Sequence, residues 1–180
     1  MTKKYNIGEI MIDETQIQKR AEEIGRQITE EYAGEEILVI GILRGAVIWL
    51  SDIVKQIKLN VEIDFMSVSS YGALTKSTGV VKIVKDLDSP IEGKNVIIIE
   101  DIVDSGTTLN YLKNYLLAMN PKSLKICSLL DKPARRTVDI DIDYVGFIVE
   151  DKFIVGYGLD VDQHYRNLPY ITCLNDREKE

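Results

Sequence analysis

Two adjacent carboxylates, Glu100 and Asp101, follow four apolar residues in the segment VIIIEDIVDSGTTL, Val96 to Leu109. Asp104 comes three residues later, and Ser105-Gly106-Thr107-Thr108 follows at once. Glu100 and Asp101 are acceptors suited to sugar hydroxyls, directly or through Mg²⁺, which prefers oxygen ligands and retains water. The SGTT run offers backbone N–H groups and hydroxyls at a helix N-terminus, where the helix dipole also attracts an anion. Gly106 lets the backbone approach a ligand and take a positive φ. Taken singly, each feature also reads as strand-end punctuation or a helix N-cap. Joined on one strand-turn-helix, they describe a phosphate cradle beside a carboxylate pair. The segment is neither a G-x-x-x-x-G-K-[ST] loop nor a G-x-G-x-x-G fingerprint.

The surrounding elements must place this segment. Ile17, Ala21, Ile24, Ile28 and Tyr32 recur at helical spacing, and Gly34 closes that helix. Ile37 to Leu43 (ILVIGIL) reads as a buried strand, Ala46 to Ile57 as a helix, and VEIDFMSV, Val61 to Val68, as an alternating strand. Ser69 to Gly79 is rich in Ser, Gly and Thr and reads as a long loop. NVIIIE, Asn95 to Glu100, is the clearest central strand, and a helix follows from about Thr107 to Met119, closed by Asn120-Pro121. LKICSLL, VGFIVE and FIVGYGL complete the strands. All-apolar strands alternating with helices predict an α/β fold with a parallel sheet covered on both faces. Ligands in such sheets bind beyond the carboxyl ends of the strands.

Bulk properties narrow the function classes. The 180 residues suit a single domain spanning 1–180. Lys plus Arg is 22 against 29 Asp plus Glu, a net charge of -7, which argues against nucleic acid as a partner. No apolar run reaches the roughly 20 residues of a membrane span, so no membrane partner is expected. MTKKYNIGEI lacks a signal-peptide core, which predicts a cytoplasmic protein. Cys127 and Cys173 lie far apart and read as reduced, small apolar residues. His164 is the only histidine and reads as structural or surface.

The segment Val96 to Leu109 resembles the diphosphoribosyl-binding signature of type I phosphoribosyltransferases, in particular the hypoxanthine-guanine branch. The resemblance runs from about Glu9 to Leu174. It implies a central, mainly parallel sheet flanked by helices, with a small hood built from the terminal segments. It also implies an enzyme of purine salvage that transfers a 5-phosphoribosyl group from 5-phosphoribosyl-1-diphosphate to hypoxanthine or guanine.

The resemblance carries roles onto matching residues. Glu100, Asp101 and the stretch Asp104, Ser105, Gly106, Thr107, Thr108 would bind the sugar diphosphate, with Asp104 as general base. Leu43-Arg44-Gly45 resembles the diphosphate loop, which implies a cis peptide between Leu43 and Arg44. Arg44 stands where the family more often has Lys. Arg166, in HYRNLPY, resembles a diphosphate-binding arginine. Ser70-Tyr71-Gly72 resembles the mobile lid. Lys132 resembles the donor to the purine 6-oxo group, Phe153 the stacking aromatic, and Ile154 the backbone reader of the base edge. Asp160 resembles a carboxylate associated with magnesium and the purine site, so Glu100, Asp101 and Asp160 are the metal candidates and Mg²⁺ the expected cofactor. A homo-oligomer, dimer or tetramer, is implied as well.

Three other readings stay open. An RNA-binding regulator of pyrimidine genes shares this fold, although it usually has Asp-Asp where this chain has Glu100-Asp101, and a net charge of -7 suits it poorly. Adenine, orotate and xanthine phosphoribosyltransferases form the second. Lys132 and DKFIVGYGLD favour a 6-oxopurine over adenine, while hypoxanthine, guanine and xanthine are not ranked. A receiver domain also ends strands with carboxylates, but without a following SGTT.

Overall fold

The computed structural model describes residues 6–70 and 81–175. The elements run β1 (Asn6–Ile12), α1 (Glu14–Glu31), β2 (Ile37–Leu43), α2 (Val47–Gln56), β3 (Val61–Ser70), β4 (Val81–Lys85), β5 (Asn95–Val103), α3 (Thr107–Leu117), β6 (Ser123–Asp131), β7 (Tyr144–Ile148), β8 (Ile154–Val155) and β9 (Ile171–Asn175). A 3-10 turn, Pro133–Arg135, follows β6.

Six strands form the main sheet in the order β4-β3-β2-β5-β6-β7. All its pairings are parallel except β3 with β4. The run VIIIE forms the middle of this sheet because both its faces are covered. Ile97 and Ile99 join the cluster beneath α1 and α2, with Ile24, Trp49 and Ile53. Val96 and Ile98 join the cluster beneath α3, with Leu109, Leu112 and Leu116. Alternate residues of one strand thus fill two cores, the period-two rule applied to a doubly covered sheet.

Local signals start the helices. Asp13 caps α1 by accepting from Gln16 N at 2.8 Å, and Gln16 Oε1 accepts from Asp13 N at 2.9 Å. That reciprocal pair satisfies two otherwise orphaned donors. Arg20 then ties α1 to β7, donating from Nη2 to the Val145 carbonyl at 2.6 Å. Gly34, at φ 82°, turns the chain into β2. Cys127 and Cys173 are both free thiols. Burial pushes the Cys127 thiol up to about 12, so it behaves as a core residue rather than a nucleophile.

The terminal segments make a second sheet, β1-β9-β8, all antiparallel. This is the hood that the resemblance implies. Several boundaries differ from the sequence expectation. β5 continues past Glu100 to Val103, because β6 pairs beside it as far as Val103↔Asp131. Backbone pairing carries the strand through its polar side chains. Ser69 and Ser70, expected in a loop, extend β3 opposite Lys82 and Val81 of β4. FIVGYGL keeps only Ile154 and Val155 as strand. Gly156, Tyr157 and Gly158 take φ of 99°, 50° and 100°, which ends the extended run.

At the carboxyl edge of the main sheet, two glycines let their neighbours approach closely. A Cβ on Gly45 would lie 1.5 Å from Asp101 Oδ2, and one on Gly158 would lie 2.0 Å from the Gly45 carbonyl oxygen. The turn after β2, the end of β5 and the loop after β8 are therefore stacked with no room for a side chain.

Two substitutions test this architecture. Ile98→Ala empties a fully buried position in β5 and should cost about 2–5 kcal/mol in chemical denaturation. Gly158→Ala adds a Cβ at φ 100° against the Gly45 carbonyl. It should lower stability by ~1–3 kcal/mol, read as a fall in the thermal midpoint.

Candidate active site

Two clefts open at the carboxyl edge of the main sheet, and Ile102 and Asp104 line both. The first, of about 350 Å³, lies between the turn after β2 and the start of α3. Leu43, Arg44 and Gly45 form one wall, and the peptide between Leu43 and Arg44 is cis. Glu100 and Asp101 form the floor. The Ile102 amide donates to Asp101 Oδ1 at 2.8 Å, and the Asp101 amide donates to Glu100 Oε1 at 3.3 Å. Burial, together with the adjacent Asp101 charge, pushes the Glu100 carboxyl well above the usual carboxylate range.

The opposite wall is the start of α3. Gly106 adopts φ 82° at the N-cap and offers no side chain to cap the helix. Apart from that of Thr107, the first-turn amides thus have no side-chain cap, the arrangement that suits an anion. Ser105, Gly106 and Thr108 line the cleft. Thr107 turns away: its amide donates to Ser105 Oγ at 3.3 Å, and the two hydroxyls lie 3.2 Å apart.

Arg166 and Asp160 close the mouth. Arg166 Nη2 lies 2.7 Å from Asp160 Oδ1, and its Nη1 donates to the Gly158 carbonyl at 2.7 Å. Gln163 Oε1 accepts from Arg44 Nη1 at 3.1 Å and from Arg166 Nη2 at 3.3 Å. One amide oxygen therefore draws two guanidinium groups together at the rim. Sequence reasoning passed over Gln163, because nothing in its spacing pairs it with Arg44.

The second cleft, of about 530 Å³, lies on the other side of Asp104. Lys132, Phe153 and Ile154 line it. Lys132 is buried, contrary to the habit of a lone lysine before proline. Its Nζ donates to the Lys152 carbonyl at 2.6 Å. Phe153 is 59 % exposed although it adjoins a strand, so its ring stands at the edge of the cleft rather than in the core. Ile154 pairs with Cys173 in the hood sheet.

Arg135 is a further lining residue that the sequence did not single out. Its Nε lies 3.0 Å from Asp104 Oδ1, and its Nη1 lies 3.5 Å from Asp151 Oδ1. The same Asp104 oxygen is buried and accepts no aligned hydrogen bond. Arg135 thus covers that oxygen by an ion contact, while Asp104 as a residue lines both clefts.

The expected carboxylate trio is only partly assembled. Glu100 and Asp101 adjoin, while Asp160 is committed to Arg166 and to the Gln163 amide, whose N donates to Asp160 Oδ2 at 2.8 Å. Among the described residues, no three Asp, Glu, His or Cys side chains converge as a cation cage. Two neighbouring carboxylates still fit Mg²⁺, which is commonly held by one or two carboxylates, substrate oxygens and water. Of the lid residues, the Ser70 backbone ends β3, while Tyr71 and Gly72 lie outside the described residues. His164 bridges to Val161 through the backbone and meets Tyr165 edge-on.

A family profile described as "Phosphoribosyl transferase domain" matches residues 11–162. The chain is 51% identical over 171 residues to the hypoxanthine-guanine phosphoribosyltransferase of Bacillus subtilis, covering 95% of each protein. It is 50% identical over 169 residues to the bifunctional protein TilS/HprT of Listeria monocytogenes. That match takes in 94% of this chain but only 26% of the relative, so the chain spans about a quarter of that protein's length. The crystal structure of a hypoxanthine-guanine phosphoribosyltransferase from Bacillus anthracis superposes with a TM-score of 0.91 at 49% identity, covering 94% of this chain and 100% of the other. With the cradle, the carboxylate pair and the cis turn already in place, these matches establish that the chain belongs to the phosphoribosyltransferase family, in its hypoxanthine-guanine branch.

Proposed function

We propose that this protein transfers the 5-phosphoribosyl group of 5-phosphoribosyl-1-diphosphate to hypoxanthine or guanine. The products are IMP or GMP and diphosphate, the chemistry of purine salvage. The observation that carries this reading is the position of Asp104, which lines both clefts at once. One cleft suits a phosphorylated sugar and the other a flat base, and the reacting atoms must meet between them.

Each residue has a part in that geometry. The 5-phosphate sits at the uncapped start of α3, against Ser105, Gly106 and Thr108. Glu100 and Asp101 accept from the ribose hydroxyls. The diphosphate lies along Leu43-Arg44-Gly45, where Arg44 and Arg166 converge on Gln163. A guanidinium fork meets two phosphate oxygens at once, so Arg44 can serve where a lysine is more usual. Glu100 and Asp101 would hold Mg²⁺, which when bound supplies positive charge to the departing diphosphate.

The base enters the second cleft and stacks on Phe153. Lys132 reads the 6-oxo group with a proton left over from its bond to Lys152, since an ammonium has three donors. The purine N9 forms a bond to the ribose C1′ as the bond from C1′ to diphosphate oxygen breaks. Asp104 takes the proton from N7 as general base. The backbone of Ile154 reads the far edge of the base, and Asp160 lines the first cleft from the loop after β8. Within this reading the chain works as one domain in the cytoplasm and assembles as a dimer or tetramer.

Purified protein should convert 5-phosphoribosyl-1-diphosphate with hypoxanthine or guanine, but not with adenine or uracil, followed by ultraviolet absorbance. Turnover with adenine alone would remove the role given to Lys132. Chelation by EDTA should abolish turnover, and added Mg²⁺ should restore it. Asp104→Asn should still bind both substrates yet turn over roughly 10²-fold more slowly, measured as kcat. A near-normal kcat in that variant would take the base role away from Asp104.

A further inference from the structure

A buried carboxylate lies outside both clefts. Asp52, on α2, is 8 % exposed and lines neither cleft. It accepts from the Tyr157 hydroxyl, from Gln18 Nε2 at 2.9 Å and from Lys55 Nζ at 2.5 Å. Its donors come from α1, from α2 and from the loop after β8. Burial alone would push the Asp52 carboxyl up, and the hydrogen bonds from Lys55, Tyr157 and Gln18 outweigh it and leave it lowered. A buried charge satisfied by three donors marks a junction that the fold holds closely.

Tyr157 stands between the two halves of the site. Phe153 and Ile154 of the base cleft precede it, and Asp160 of the other cleft follows. Its φ of 50° is rare for a residue with a Cβ. Such a conformation persists where the surroundings over-determine it. Here the Tyr157 amide donates to the Leu168 carbonyl at 2.9 Å, and the Gly158 amide to the Arg166 carbonyl at 2.9 Å. Gly158 also rests on the Gly45 carbonyl, where a Cβ would come within 2.0 Å. The turn at Gly45 leads directly into α2, the helix that carries Asp52. The loop therefore meets the Gly45–α2 unit twice, by backbone at Gly158 and by side chain at Tyr157.

We propose that Asp52 and Tyr157 are positioning residues for the transfer reaction. Their buried hydrogen bond fixes the loop from Phe153 to Asp160 against the middle of α2, and so sets the base cleft relative to the diphosphate turn that leads into that helix. The inference rests on the proposed reading of the two clefts. Neither residue touches substrate; both act through the loop's placement.

Tyr157→Phe keeps the ring in the core and removes only the hydroxyl. It should raise KM for hypoxanthine and for 5-phosphoribosyl-1-diphosphate and lower kcat/KM by roughly tenfold or more, since small misplacements are costly. Amide hydrogen exchange should quicken in peptides spanning 153–160 and stay unchanged in β5. Asp52→Asn should move the same two readouts in the same direction, and if it fails to fold, Tyr157→Phe decides alone. A lowered thermal midpoint with unchanged KM values and unchanged loop exchange would overturn the proposal, leaving the pair merely structural. Absence of turnover in the unsubstituted protein with either base would defeat the functional reading instead, and the exchange measurement would still decide whether the bond holds the loop.

Discussion

β5 is hydrogen-bonded on both edges and covered on both faces, and the site depends on that confinement. Asn95 to Ile99 pair with Ile37 to Gly41 of β2, while Asn95 to Val103 run beside Ser123 to Asp131 of β6. A slip of one residue would exchange the faces of Ile97 and Ile99 with those of Val96 and Ile98. Both cores would then be refilled with the wrong shapes. The register is fixed by apolar burial, and the register in turn delivers Glu100 and Asp101 to the floor of a cleft. The half-buried carboxylates stay there because the strand beneath them has nowhere else to go.

Close approach at two glycines does the next part of the work. The turn after β2, the end of β5 and the loop after β8 touch through Gly45 and Gly158. Gly158 meets the Gly45 carbonyl backbone to backbone, while Gly45 faces the short Asp101 side chain, so little freedom is left in the walls of the first cleft. Side chains then refine it. Gln163 gathers Arg44 and Arg166, and Asp160 holds Arg166 from the other side. The buried hub at Asp52 reaches the same loop from beneath. Rigid main chain with a few locked side chains suits a reaction that depends on placing two substrates rather than on a covalent intermediate.

The charge distribution is uneven in a useful way. The chain carries a net charge of -7, yet Arg44 and Arg166 meet at one cleft, and Lys132 and Arg135 line the other. Local gathering of cations, added to the start of α3, gives the clefts of an acidic protein a local surplus of donors and positive charge. Net charge speaks for the surface as a whole and for long-range partners. It says little about a cleft whose field comes from the nearest few groups.

Much of this was legible in the residues alone. The apolar run at Val96 to Ile99, the Glu100-Asp101 pair and the SGTT run are local, and their chemistry follows from type and order. The helix from Ile17 to Tyr32 and the strand from Ile37 to Leu43 were legible from periodicity, which reports burial directly. The roles of Lys132, Phe153 and Arg166 came from resemblance, since no spacing joins them to residue 104. Other features belong to the tertiary structure. β1 and β9 carry weak patterns and form because the two ends of the chain pair with each other. β5 outruns its apolar residues because β6 lies alongside. Gln163, Arg135 and the Asp52–Tyr157 bond join residues 119, 31 and 105 positions apart. Sequence determines which residues have the chemistry to meet, because that is a property of each residue and its near neighbours. Only the packing of strands and loops decides which of them do meet, because those distances are set by contacts across the whole fold.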